Sequence, residues 1–284
     1  MSSVRIAVAQ TLTEVQDRRK NLEKALLYME NAKAQGVQII CFPEGYPGPW
    51  TPPLDYDPIP LLSQGAKENE MFVAAGLIGT VPETKDRYYV KEVFISPKGE
   101  VVGEYRRTTP RGPWIYKGGP LWDFDYQEAG ELPVFDTPWC KVGLAICSEV
   151  YVPEISRILA LKGAELIFLP AGVPKEPMWL TWKTLIFARA IENLCFTATT
   201  ENLFSYSDLG LAMICSPERV LAESKQEGVL VADCDLDHLR MLRGTEDSKT
   251  FPGVKHCKPG IFKQWFRLEF HGRALAEVGN PTER

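Results

Sequence analysis

KVGLAICSEVYVPE, residues 141–154, decides how this chain is built. Val142, Leu144, Ala145 and Ile146 form an apolar run too short for most helices and suited to a buried strand. Cys147 ends that run, polar Ser148 and Glu149 follow, and Pro153 and Glu154 open ISRILALKG, which has helical periodicity. A strand end feeding a helix is where open α/β folds place reactive groups, because the loop is reachable while the strand fixes its position. Cysteine in an apolar context is by default a core residue. Cys147 therefore has two readings, core filler and nucleophile, and its place at a strand end favours the second.

Outward from this stretch, strand-like and helical segments alternate. VRIAVAQ is followed by a helical stretch over about 17–35, then VQIICF ending at Pro43-Glu44, a proline-rich loop, a helix near 61–71, and the strands FVAAGLIGTV, YYVKEVFIS and VVGEY. The second half runs KVGLAIC, helix, ELIFLP, helix through WLTWKTLIFARAIEN, CFTATTEN and GLAMICS. Consecutive strands imply hairpins, so the expectation is an α/β fold with mixed sheets. No linker or low-complexity segment divides the chain, which predicts a single domain over 1–284. An irregular tail from about residue 248 is expected at a subunit interface.

KAQGVQIICFPEG (33–45) and ALKGAELIFLPAG (160–172) align without gaps, sharing a glycine after a helix, an apolar strand and a Pro-x-Gly turn. The first turn carries Glu44 where the second carries Ala171, so the turn itself does not require a carboxylate. Glu44, Cys147 and the pair Arg106-Arg107 in VVGEYRRTTP all follow strand ends. Convergence on one sheet edge would assemble an acid, a cation and a thiol, the parts needed to hydrolyse an amide-like bond. An unperturbed thiol is only a few per cent thiolate at neutral pH, so it needs a base, and a cation with backbone amides stabilises an oxyanion.

A net charge of −5 argues against a nucleic-acid partner. No signal peptide or membrane-length apolar run is visible, so a cytoplasmic protein is expected. Seven cysteines, mostly in apolar stretches, predict reduced thiols, and Cys41, Cys140, Cys195, Cys215, Cys234 and Cys257 read as core. His238, His256 and His271 are too scattered to suggest a metal site.

AVAQ, FPEG, YRR, VGLAICSEVYVPE, ARAIEN and TTEN occur in an order that resembles the nitrilase superfamily of carbon–nitrogen hydrolases over residues 4 to about 240. The resemblance implies an α-β-β-α sandwich, no metal or organic cofactor, and a homodimer or higher homo-oligomer. It makes Glu44 the general base, Cys147 the nucleophile and the Ser148 N–H an oxyanion donor, with Glu149 and Glu154 at acidic positions of the cysteine motif. Arg107 stands where the family has lysine. Glu128 is the nearest candidate for an auxiliary glutamate, and Lys117 for a displaced ammonium. Trp50, Tyr56, Trp114, Tyr116, Trp122 and Trp179 are placed in or near rim loops, where they suit an apolar or aromatic substrate or else form a packed lid or a subunit contact. Nitrile-cleaving members typically have tryptophan after the cysteine, where this chain has Ser148. The expected activity is hydrolysis of a small amide or carbamoyl compound to an acid and ammonia through a thioester. The alternatives are nitrile hydrolysis by the same machinery, a catalytically impaired scaffold, and a Cys-His hydrolase using His256.

Overall fold

A computed structural model describes residues 2–15, 17–49, 54, 56–82, 84, 87–109, 127–174, 176–244 and 267–278. The first half contains β1 (Ser3–Leu12), α1 (Arg18–Ala34), β2 (Ile39–Cys41), α2 (Ile59–Glu68), β3 (Phe72–Thr80), β4 (Tyr88–Ile95) and β5 (Val101–Arg106). The second contains β6 (Val134–Asp136), β7 (Lys141–Leu144), α3 (Pro153–Leu161), β8 (Ala164–Phe168), α4 (Trp179–Asn193), β9 (Phe196–Thr199), β10 (Asn202–Leu203), β11 (Ala212–Cys215), β12 (Val220–Ser224) and β13 (Gly228–Asp235). Helices α5 (Leu236–Gly244) and α6 (Leu268–Val278) follow.

The strands form two mixed sheets, ordered β10-β1-β2-β3-β4-β5 with β13 also on β1, and β12-β11-β9-β8-β7-β6. Their plans match. In one, β1, β2 and β3 are parallel neighbours continued by antiparallel β4 and β5; in the other, β7, β8 and β9 are parallel and β11 and β12 run antiparallel. The repeated sequence is therefore a repeated helix–strand–turn, α1–β2 in one sheet and α3–β8 in the other.

Helix α3 shows how local sequence sets this layering. Pro153 and Glu154 occupy its first turn, where a missing N–H costs nothing and a carboxylate suits the helix dipole. Ile155, Leu159 and Ala160 are its buried apolar residues, and Gly163, at φ +102, ends the turn in a conformation that favours glycine. That buried stripe packs on β7 and β8, while α4 packs on β9 and β11. On the other side α2 packs on β3 and β4, and α1 on α2 and β13. The sheets meet through β1, β11, β12 and β13, giving the expected α-β-β-α sandwich. Phe94 of β4 closes it elsewhere, stacking on Phe135 of β6 at 5.1 Å. Each ring buried this way is worth about 1.5–3 kcal/mol.

The chain falls into two compact units, Met1–Leu236, which holds both sheets, and Asp237–Arg284. Where an irregular tail is expected, the second unit contains α6. Leu268, Leu275 and Val278 recur at helical spacing there, but Gly272 interrupts the pattern and hides it from a periodicity reading.

Candidate active site

Glu44 stands in the turn after β2, and it is 1% exposed. The preceding Phe42 continues the β2–β3 ladder, its N–H donating to Ala74 O at 2.9 Å. Gly45 adopts φ +71, and the turn then lies against β3, where Gly76 N–H donates to Tyr46 O at 2.8 Å. Tyr46 locks it from outside by donating to Asn21 O at 2.8 Å beneath α1.

Cys147 opens a 3₁₀ turn, Cys147–Tyr151, which follows β7 after Ala145 and Ile146. Its φ is +52, a region that non-glycine residues seldom occupy and that a surrounding structure must enforce. Three anchors do so. Cys147 N–H donates to Pro170 O at 2.7 Å, Arg189 Nε donates to Val150 O at 2.9 Å, and the Glu149 carboxylate reaches back to Ile146 N–H at 2.6 Å.

Arg107, 1% exposed, joins the two elements. Its Nη1 donates to Glu44 Oε1 at 3.0 Å, and its Nη2 donates to Ser148 Oγ, next to the thiol. A planar fork with fixed donors can serve two acceptors in this way, which a single ammonium does less readily. Glu149 fixes the segment carrying Arg107. Its Oε2 also accepts from Tyr105 Oη at 2.6 Å, while its Oε1 accepts from Thr108 N–H and Oγ1, each at 2.6 Å, and from Thr109 N–H at 3.3 Å. Burial and the adjacent carboxylate push the Tyr105 phenol well up, keeping it a donor. Glu149, which the resemblance places at an acidic position of the cysteine motif, is thus a clamp between the arginine segment and the cysteine turn; both its oxygens are engaged.

Two further expectations differ. Glu128 is exposed and lines a cleft with Tyr89, Glu104 and Arg106. Glu104 and Arg106 alternate with Tyr105 and Arg107 along β5, so this cleft lies on the sheet face opposite Glu44. Trp179 donates from Nε1 to Gly210 O at 3.1 Å and carries Lys225 Nζ 3.5 Å over its ring, which ties it to the loop between β10 and β11 instead of to Cys147. Glu154 is exposed on α3. Lys117, His256, Cys257, Trp50, Trp114, Tyr116 and Trp122 lie outside the described residues. Cys41, Cys140, Cys195, Cys215 and Cys234 are buried, as the core reading expects. No group of three or more His, Cys, Asp or Glu residues suited to a metal ion occurs among the described residues, and no helix among them is long and apolar enough to cross a membrane.

Sequence reasoning missed Asn202 and Glu92. Asn202 Nδ2 donates to Glu44 O at 3.0 Å and to Gly172 O at 3.1 Å, stapling the two repeated turns together. Its Oδ1 accepts from Thr13 Oγ1 at 2.8 Å, at the end of β1. TTEN contains this residue, yet nothing local reveals its partners. Glu92 had a signal: it takes the inward phase of β4, between Val90 and Phe94, where an apolar residue belongs.

A model of the carbon–nitrogen hydrolase family matches residues 5–243. This chain belongs to the carbon–nitrogen hydrolase family. Relatives include an omega-amidase NIT2-A of Xenopus laevis, 30% identical over 250 residues, covering 78% of this chain and 86% of that protein. A deaminated glutathione amidase of Rattus norvegicus is 27% identical over 277 residues, covering 90% and 83%. Among solved structures, Nit3 of Saccharomyces cerevisiae, a nitrilase-superfamily member, superposes with a TM-score of 0.74 at 17% identity over 89% of this chain and 96% of that one. An amidase from Nesterenkonia sp. gives 0.72 at 22% identity over 84% and 94%. A mutant of that amidase carries the acetamide moiety of fluoroacetamide on its active-site cysteine. The present chain is an amidase-type carbon–nitrogen hydrolase.

Proposed function

We propose that this hydrolase converts a small primary amide to a carboxylic acid and ammonia through a thioester on Cys147. One observation carries the reading: a buried guanidinium spans Glu44 and Ser148, so a base, a cation and the turn bearing the thiol form one connected group. Arg107 favours the ionised form of Glu44, and an ionised Glu44 accepts the thiol proton as sulfur attacks the amide carbon. The oxyanion that forms faces the Ser148 N–H and the positive field of Arg107. Collapse expels ammonia, which leaves with the proton held by Glu44, and the acyl group stays on sulfur. Water then attacks the thioester, Glu44 takes its proton, and the acid departs as the thiol is restored. Glu44 performs each proton transfer, so Arg107 needs to supply only charge.

The test is mass spectrometry of protein mixed with a panel of small amides and nitriles, with ammonia measured in parallel. An acyl adduct on Cys147 together with ammonia from amides supports the proposal. An adduct and ammonia only from nitriles moves the activity to the nitrile branch, and no adduct with any compound removes the thioester route.

A further inference from the structure

Glu92 pairs across the sheet with Gly76 on β3 and with Tyr105 on β5, so the three residues form a row on one face. It is fully buried, and among the described residues neither of its carboxyl oxygens has a hydrogen-bond partner. A Cβ placed on Gly76 would meet Gly45 N at 2.1 Å and Glu92 Oε1 at 2.7 Å. Gly76 thus leaves the space in which the Glu92 carboxyl and the backbone following Glu44 converge.

The two acids differ in their surroundings. Glu44 has a guanidinium at 3.0 Å. Burial, and then the charge of Glu44, hold Glu92 well above the usual carboxylate range. Of two neighbouring carboxyls, the one beside a cation is the better stabilised as a charge, here Glu44. A leucine or methionine would fill the same inward position of β4 without burying a polar group.

We propose that Glu92 is a positioning residue for Glu44, a neutral carboxyl whose O–H is available to the Glu44 carboxylate, so that two acids carry one negative charge opposite Arg107. The inference rests on Glu44 being the base. The other titratable groups here are accounted for. Cys41 on β2 is kept a neutral thiol by burial, Tyr105 donates its O–H to Glu149, and Cys147 meets the pair through Ser148 and Arg107. When Glu44 accepts the thiol proton, the pair holds two protons and the negative charge has moved to sulfur. When Glu44 passes that proton to the leaving amide nitrogen, which departs as ammonia, the pair returns to its resting state and Glu92 has given up nothing.

The experiment compares wild type, Glu92→Gln and Glu92→Leu by the pH dependence of Cys147 alkylation with iodoacetamide, which requires no amide turnover, and by amide hydrolysis in parallel. A donor to ionised Glu44 lowers the acid limb of both profiles, so its removal in Glu92→Leu raises that limb by on the order of one pH unit. Glu92→Gln keeps an N–H donor and returns the limb to within a few tenths of a unit of wild type. An unmoved limb in Glu92→Leu, or Glu92→Gln shifting as far as Glu92→Leu, overturns the proposal. Should Glu92→Leu fail to fold, infrared spectra of wild type and Glu92→Gln at neutral pH decide: a protonated-carboxyl band lost in the variant supports the proposal, and identical spectra overturn it. Alkylation limbs that move as expected in a protein that hydrolyses no amide sink the proposed activity and leave the acid pair standing.

Discussion

The turns Phe42–Gly45 and Leu169–Gly172 have the same pattern and the same place in their sheets, yet they do different work. Each leaves a central parallel strand and stays on its neighbour's ladder: Phe42 N–H donates to Ala74 O at 2.9 Å and Leu169 N–H to Ala198 O at 2.7 Å. The first turn then carries a buried carboxylate paired with Arg107, whereas the second carries Ala171, fully buried. The second turn contributes only backbone. Pro170 O receives the Cys147 N–H, and Gly172 O shares the Asn202 amide with Glu44 O. One copy therefore supplies a reactive group, and the other holds that group and the thiol in one frame. A duplicated motif can divide its labour this way because backbone carbonyls are present in any sequence, while a charge has to be placed and neutralised.

The largest expected effect tests whether chemistry belongs to the first turn alone. Glu44→Gln should lower kcat by about 10²–10⁴-fold, the usual loss for a general base. Ala171 suggests that the turn tolerates loss of a carboxylate, but the pairing with Arg107 changes that forecast. Removing one partner strands a buried guanidinium, so the variant should also lose about 3 kcal/mol of stability by denaturant titration. A variant as stable as wild type would mean that the ion pair contributes nothing to the fold.

The reciprocal change, Ala171→Glu, puts a carboxylate in the second turn without an Arg107 of its own. An unpaired buried charge ranks among the most damaging substitutions, and a loss exceeding about 4 kcal/mol is expected in the same titration. Near-wild-type stability would show the two turns to be interchangeable and would break the comparison.

Arg107→Lys asks whether the fork is needed to join the two elements. An ammonium on a flexible stem does not reproduce two fixed donors, so hydrolysis should fall by about 10²-fold, the scale of losing one oxyanion-site donor. Faster hydrolysis than wild type would show that arginine handicaps this site.

The staple comes next in size. Asn202→Ala leaves Glu44 O and Gly172 O without that donor, at a cost of about 1–3 kcal/mol, and should lower kcat more than it raises KM. A loss confined to stability would mean that Asn202 braces the fold without aligning the site.

The smallest effect is one of chemical selectivity. Burial raises the thiols of Cys41 and Cys234 well above the usual range and pushes Cys215 up to about 12. Their thiolate fractions at pH 7–8 are therefore negligible, and iodoacetamide should label Cys147 first, read by peptide mass mapping. Labelling of Cys41 at an equal rate would remove the thiol from the frame that the turns build.

The amino-acid order by itself determined much of this protein. Alternating strands and helices implied the mixed α/β sheets, the repeated Pro-x-Gly turn marked two equivalent sheet positions, and Cys147 and Glu44 stood out because each ends an apolar strand. Those features are local: hydrophobic phase and turn chemistry act over a few residues. The tertiary structure alone decided that Glu149 clamps Tyr105 and Thr108, that Asn202 joins two turns, and that Glu128 faces away on the far side of β5. It also decided that Glu92, an acid at an inward strand position, lies beside the turn of Glu44. Those partners are separated by as many as 158 residues. Their meeting depends on sheet register and on how the sheets face each other. The physical reason is that periodicity shows which side of a strand is buried, whereas the energy of a buried charge depends on which groups from other strands arrive there.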